Sequence, residues 1–317
     1  MATLAGVFNM SHSPFCYMPP EKWNEVRASR ALRPDVPADD VEVNRAKAAR
    51  VAAAFAALKA RLAAAKPDVL LVFGDDQLEC FDFGNYPSFA VYAGASFHGS
   101  LAGGGRATVP GHPGLAGALL TGLMRRGFDP AFSLDMPKPE RGIGHAFLRP
   151  AESLTDFTLP IVPVFLNCYY APQPTALRCY QLGAAVRAII AEHPDGLRVA
   201  VVGSGGLWHT PRAKDAYLDE TFDQAILKAM TAGDARGMAR YFDGYTVPAG
   251  DASQPLGGRG PGTTGLPDAA GPRGGTRETC NWIAAAAVAE GHAATLVDYV
   301  PIYASPIGAG FAYWPAP

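Results

Sequence analysis

Residues 199–209 read VAVVGSGGLWH. The β-branched run predicts a buried strand, and Ser204, Gly205 and Gly206 supply the turn that ends it. Trp208 and His209 are more than a turn needs. A titratable ring at the end of so apolar a segment is either core filler or catalyst, and the rest of the chain has to decide.

The same alternation of strand and helix extends outward from this stretch in both directions. Apolar runs at 3–8, 67–74, 88–94, 159–167, 197–205 and 294–301 predict strands. Helices are expected over 41–65, 113–126, 174–192, 218–232 and 277–290. In the first, Val51, Phe55, Leu58 and Leu62 fall on one stripe at spacings of three and four. The second opens at Pro113, and Gly127 suits the position just past its end. Such alternation predicts an α/β sandwich: one domain over 1–317, with a central, largely parallel or mixed sheet flanked by helices on both faces. One segment breaks the pattern. Residues 247–275 are dense in Gly and Pro and carry no period, which predicts a surface loop. Its place directly before TRETCNW (276–282) also makes it a candidate active-site lid.

The bulk numbers exclude more than they select. Of 317 residues, 49% are hydrophobic and 18% charged, with a formal net charge of −2, as in an ordinary soluble globular protein. No charge excess points to nucleic acid or a membrane surface. No apolar run approaches the roughly 18 residues of a membrane span, and the N-terminus lacks the pattern of a secretory leader. Cys16, Cys80, Cys168, Cys179 and Cys280 are scattered without CxxC spacing, which suits reduced thiols in a cytoplasm.

In open α/β sheets, ligands bind beyond the carboxyl ends of the strands. The residues that follow each strand are therefore where a site should be sought. His12 follows the first strand. Asp75, Asp76, Gln77 and Glu79 follow the second, Asn167 a later one, and His209 the opening stretch. His145 stands in a glycine-punctuated loop, and Glu278 in the first turn of an expected helix. Each has a bland reading: turn caps for His12 and the Asp pair, a backbone-bonded ring for His145, dipole pairing for Glu278. Four bland readings at once are less economical than one shared site. His98, His112, His193 and His292 lie in loops and turns and are read as structural. GSGG lacks the spacing of a serine nucleophile elbow, and no phosphate-binding fingerprint is intact. Histidines and carboxylates on separate strand ends point instead to a metal with an accompanying acid–base.

Together these motifs resemble the class III extradiol ring-cleaving dioxygenases of the protocatechuate 4,5-dioxygenase catalytic-subunit type, over nearly the whole chain. MSHSP resembles the segment with the first iron-ligand histidine (His12), and RETCNW the segment with the glutamate ligand (Glu278). GSGGLWH resembles the segment ending in the acid–base histidine (His209), and GIGHAF that of a second active-site histidine (His145). VPVFLNCYYAPQPTALRCYQLG is similar to the family's central segment. MPPEKWNE and GDDQ, followed by NYPSFAVYAG, resemble the methylgallate dioxygenase branch. The chain departs from the family at GDDQLECF, where Gln77 stands in place of the second ligand histidine. Gln77, Asp76 or Glu79 is then left to complete the metal site.

The resemblance implies an Fe(II) enzyme that opens a catechol- or gallate-type diol with O2. Ser204, Gly205, Gly206 and Asn167 are expected to line the substrate site, and a homodimer is the base-rate expectation. The incomplete triad leaves an alternative: a non-oxidative metal-dependent hydrolase or lyase, or an inert binding relative.

Overall fold

The computed structural model describes residues 1–210, 213–247 and 264–316. Of the expected lid, residues 248–263 lie outside the described residues. The first half contains β1 (Thr3–Met10), α1 (Trp23–Ala28), α2 (Val41–Ala65), β2 (Val69–Asp75) and β3 (Phe89–Tyr92). There follow β4 (Ser96–Ser100), β5 (Arg106–Pro110), α3 (Pro113–Met124), β6 (Ala131–Ser133) and α4 (His145–Pro150). The second half adds β7 (Ile161–Leu166), α5 (Ala176–Glu192), β8 (Arg198–Ser204), α6 (Glu220–Thr231) and α7 (Ala235–Gly244). It closes with α8 (Thr279–Val288), β9 (Thr295–Ile302) and β10 (Ile307–Pro315).

Eight strands form one mixed sheet in the order β6-β3-β7-β2-β8-β1-β10-β9. Its centre, β7-β2-β8-β1, is parallel throughout, whereas β3 and β10 join it antiparallel. β2 and β7 are buried along their whole length because helices cover both faces, which is why they read as unbroken apolar runs. Strand alternation divides the core in two. Val69, Leu71 and Phe73 join Val199 and Val201 on the face covered by α3, α5, α6, α7 and α8. Leu70 and Val72 join Ala200 and Val202 on the opposite face, under α2 and α4.

The expected elements are all present, and others lacked a legible signal. β10, IGAGFAYWP, alternates small and aromatic residues with only one β-branched member. Its small residues make room: a Cβ on Gly310 would lie 2.6 Å from the Trp282 ring. β4 and β5 form a separate hairpin outside the main sheet. Gly142 and Gly144, which suggest a loop, lead directly into α4 with His145 as its first residue.

On the first face, α5 and α8 pack closely. Gly183 permits this, since a Cβ there would lie 2.0 Å from the carbonyl oxygen of Ala284. Gly183→Ala must push the helices apart, an overpacking cost of about 2 kcal/mol. Urea unfolding should show a lowered midpoint with unchanged slope.

Candidate active site

β1 and β8 are parallel neighbours, with Met10 opposite Ser204 at their carboxyl ends. His12, two residues past β1, therefore lands beside Ser204, with Nδ1 2.9 Å from Oγ. Glu278 closes a 3-10 turn that feeds α8, and its Oε2 lies 3.2 Å from His12 Nε2. Asp75 ends β2, the strand on the other side of β8. One donor atom from each of His12, Asp75 and Glu278 lies within 4.8 Å of the others, and all three residues are buried. A neutral imidazole nitrogen with two carboxylate oxygens is a fitting donor set for a divalent first-row metal.

Polar neighbours hold this cluster in place. Tyr169 donates to Glu278 Oε1. Asn281, one helical turn past Glu278, donates to Asp75 Oδ1 at 3.3 Å and to the Ser204 carbonyl at 2.8 Å. The Gln77 amide is seated among all of them: 3.1 Å from Tyr169 Oη, 3.4 Å from Asp75 Oδ2 and 3.5 Å from Glu278 Oε1. A half-turn of that amide would present its carbonyl oxygen at the same place. Beside the cluster, the His145 ring meets the His12 ring edge-on at 4.6 Å. Glu79 Oε1 holds His145 Nδ1 at 3.0 Å.

The electrostatics are those of crowded, desolvated acids. Burial alone would raise the Glu278 carboxyl, but His12, His209 and the Tyr169 hydroxyl outweigh it and hold the group well below the carboxylate range. Asp75 is driven well above that range by burial first, and then by Glu278 and Glu79. Burial lowers the His12 imidazole despite the neighbouring Glu278. Glu79 stays below its usual value because the bond and charge of His145 overcome burial.

A cavity of about 600 Å³ opens onto this cluster, lined at its inner end by His12, Gln77, His145, His209 and Glu278. Residues 6–252 match the family described as the catalytic LigB subunit of aromatic ring-opening dioxygenase. The chain belongs to this family. It is 36% identical over 105 residues to a gallate dioxygenase from Pseudomonas putida, covering 32% of this chain and 29% of that protein. It is 32% identical over 195 residues to a 2,3-dihydroxyphenylpropionate/2,3-dihydroxicinnamic acid 1,2-dioxygenase from Paraburkholderia xenovorans, covering 59% and 58%. The protein of that name from Escherichia coli is 31% identical over 159 residues, covering 50% and 48%. The chain thus spans less than two thirds of each of these relatives. Glu278 lies beyond the residues matched to the family.

In this LigB-family chain, His12, His145, His209, Gln77 and Glu278 converge, Ser204 and Glu79 join them through His12 and His145, and Asp76, Asn167, Gly205 and Gly206 do not line the cavity. Asp76, one residue past β2, turns away. Its carboxylate caps the following turn, accepting from the backbone N–H groups of Leu78, Cys80 and Phe81 at 3.1, 2.7 and 3.1 Å. Burial pushes it up to about 6. Asn167 serves the loop after β7, with its side chain bonded to the Tyr170 backbone, and it lines a different cavity with Phe83 and Tyr86. Gly205 and Gly206 have φ values of +121° and +79°. What approaches them is protein: added Cβ atoms would lie 2.8 Å from Glu278 Oε2 and 2.6 Å from the Trp282 indole nitrogen. Asp75 and Tyr169 belong to the cluster without having been singled out as ligands. Strand parity was the available signal, because Asp75 shares the face of Leu71 and Phe73, toward α8.

His209 is positioned through its backbone and its neighbour. Trp208 is fully buried, its backbone N–H donates to Asp223 at 2.7 Å, and its indole donates to the Tyr217 carbonyl at 2.6 Å. His209 itself bridges Ile307 at the start of β10, and its N–H donates to Thr276 Oγ1 at 3.1 Å. Burial raises the Asp223 carboxyl to about 7, against the hydrogen bonds from Trp208 and Tyr299. The fold thus favours the protonated acid. Its stabilisation is complete below the unfolded value near 3.8 and is lost as pH rises through 7. Asp223→Asn should remove that contribution, on the order of a few kcal/mol. Thermal unfolding between pH 4 and 8 should then be visibly flatter in the variant than in the parent.

Proposed function

We propose that this protein is a non-haem Fe(II)-dependent extradiol dioxygenase opening the ring of a catechol- or gallate-type diol with O2. The carrying observation is the buried cluster of His12, Asp75 and Glu278, two of whose members, His12 and Glu278, line a cavity together with His145 and His209. The relatives named for gallate and 2,3-dihydroxyphenylpropionate support it, since both compounds carry adjacent ring hydroxyls. His12 Nε2 and one oxygen each from Asp75 and Glu278 would hold the metal, with the Gln77 carbonyl as a neutral fourth donor. When bound, the iron supplies a Lewis-acidic meeting point for the diol and O2.

The remaining work falls to the side chains. With Nε2 committed, the His12 Nδ1–H donates to Ser204 Oγ, which fixes both tautomer and ring plane. Glu79, held ionised, accepts from His145 Nδ1–H and leaves Nε2 to bond a substrate hydroxyl. His209 removes the proton from the second hydroxyl and returns it during ring opening, the work of a general acid–base.

His209→Gln is expected to retain metal while ring opening falls about 10²–10⁴-fold, the usual range for a lost acid–base. O2 uptake on a panel of catechols and gallates, with metal content measured in parallel, tests this; near-parental turnover removes His209 from the mechanism. The ligand assignment is tested apart from turnover. Asp75→Asn should lower the iron retained on anaerobic purification severalfold, whereas Asp76→Asn should leave it unchanged. Equal retention in the two variants would refute Asp75 as a ligand.

A further inference from the structure

The hairpin of β4 and β5 stands outside the main sheet, and its base is what packs against the protein. Phe97 is buried in the core on the α4 side. The Ile143 N–H donates to the His98 carbonyl at 2.8 Å, and a Cβ on Gly99 would lie 2.4 Å from the Ile143 carbonyl oxygen. The Arg106 guanidinium donates to the carbonyls of Glu140 and Pro139 at 3.0 and 3.2 Å. Residues 139–143, which grip the hairpin, run on through Gly144 into His145, so the hairpin base and that ring share one support. The tip is built differently. Residues 102–105 read AGGG and are exposed, and the Gly104 N–H closes the turn on the Leu101 carbonyl at 3.3 Å. Ala102 and Gly103 nevertheless line the cavity that reaches His12, His145 and Glu278. An exposed pair that lines a cavity belongs to its mouth.

Gly104 and Gly105 have φ values of +92° and +84°, where the backbone itself favours glycine. Gly103 lies outside that left-handed region, and a Cβ added to it would meet no heavy atom within 4 Å. Backbone conformation therefore does not call for glycine at 103, and what it leaves there is open space. A cavity of about 600 Å³ has the size of sites that take drug-sized ligands, more than a single diol ring fills. We propose that Ala102 and Gly103 are specificity-determining residues: the hairpin tip is the wall met by the ring substituent that points away from the metal cluster, and glycine at 103 admits a bulky one. The inference rests on the dioxygenase reading for the diol end alone. This wall is made of backbone and one methyl group, so it selects by size and not by charge.

The test uses 4-methylcatechol and 4-tert-butylcatechol, two uncharged diols that differ only in bulk, in anaerobic calorimetry on the iron-loaded protein. The parent should bind the larger diol at least as tightly as the smaller. Gly103→Leu and Ala102→Leu should each weaken 4-tert-butylcatechol about tenfold or more, as methyl groups denied space in a pocket do, and leave 4-methylcatechol within about twofold. Gly103→Ala should show a smaller loss of the same sign. Thr108→Leu alters an exposed position of the same hairpin outside the cavity lining and should bind both diols as the parent does. If Gly103→Leu does not fold, Gly103→Ala and Ala102→Leu decide alone. Tip variants that match the parent, or that lose both diols alike, would overturn the proposal. So would a parent that rejects 4-tert-butylcatechol, or a Thr108→Leu protein that discriminates as the tip variants do. Steady-state O2 uptake separates the two readings. Ring opening of both diols by parent and tip variants with the same kcat/KM ratio sinks the wall alone. Size discrimination in binding that appears with the tip variants, with no ring opening of any diol, sinks the dioxygenase reading and leaves the wall standing.

Discussion

Two carboxylates and an imidazole share one desolvated space at the carboxyl ends of the sheet, and much else in the molecule is arranged around that burden. Burying a charge without a partner costs several kcal/mol. Here Glu278 receives His12 and Tyr169, while Asp75 receives Asn281 and the Gln77 amide. The two acids end up opposed: Glu278 is held ionised, and Asp75 is pushed toward its protonated form by burial first and by Glu278 second. Apolar residues of similar size would pack there without any such conflict. A divalent cation held there would let both acids stay ionised at once.

Topology explains why these residues meet. β8 is flanked by β1 and β2, all three parallel, so their chain exits lie side by side. His12, Asp75 and Ser204 come from those exits, and Glu278 enters from the turn before α8, which packs against β8. The antiparallel β10 adds the last constraint, because its first residue, Ile307, bridges His209. Residues nearly 270 apart in sequence thus share a site because four parallel strands end on one edge.

Much of this was legible in sequence where one physical pattern dominates. Central strands buried on both faces have to be β-branched runs, and the ends of such runs pointed to His12, Gln77 and His209. Legibility failed where structure is specified by fit. β10 is built from glycines and alanines whose smallness accommodates Trp282, which no periodicity reports. Asp75 and Asp76 are chemically identical neighbours, and only the last half-step of the strand sends one to the cluster and the other to three backbone N–H groups.

The two remaining histidines are held in different ways, and this difference bears on what each can do. His145 is gripped at its ring, where Glu79 fixes Nδ1, so a change of charge on that imidazole is coupled directly to a carboxylate. His209 is gripped at its backbone: its own N–H goes to Thr276, its neighbour Trp208 to Asp223, and its strand bridge to Ile307. Those main-chain ties set where the His209 ring enters the cavity, within electrostatic reach of Glu278. The apolar strand whose exit carries Trp208–His209 therefore does more than fill the core. Trp208 is the filler, and its burial anchors the backbone from which His209 reaches the cavity.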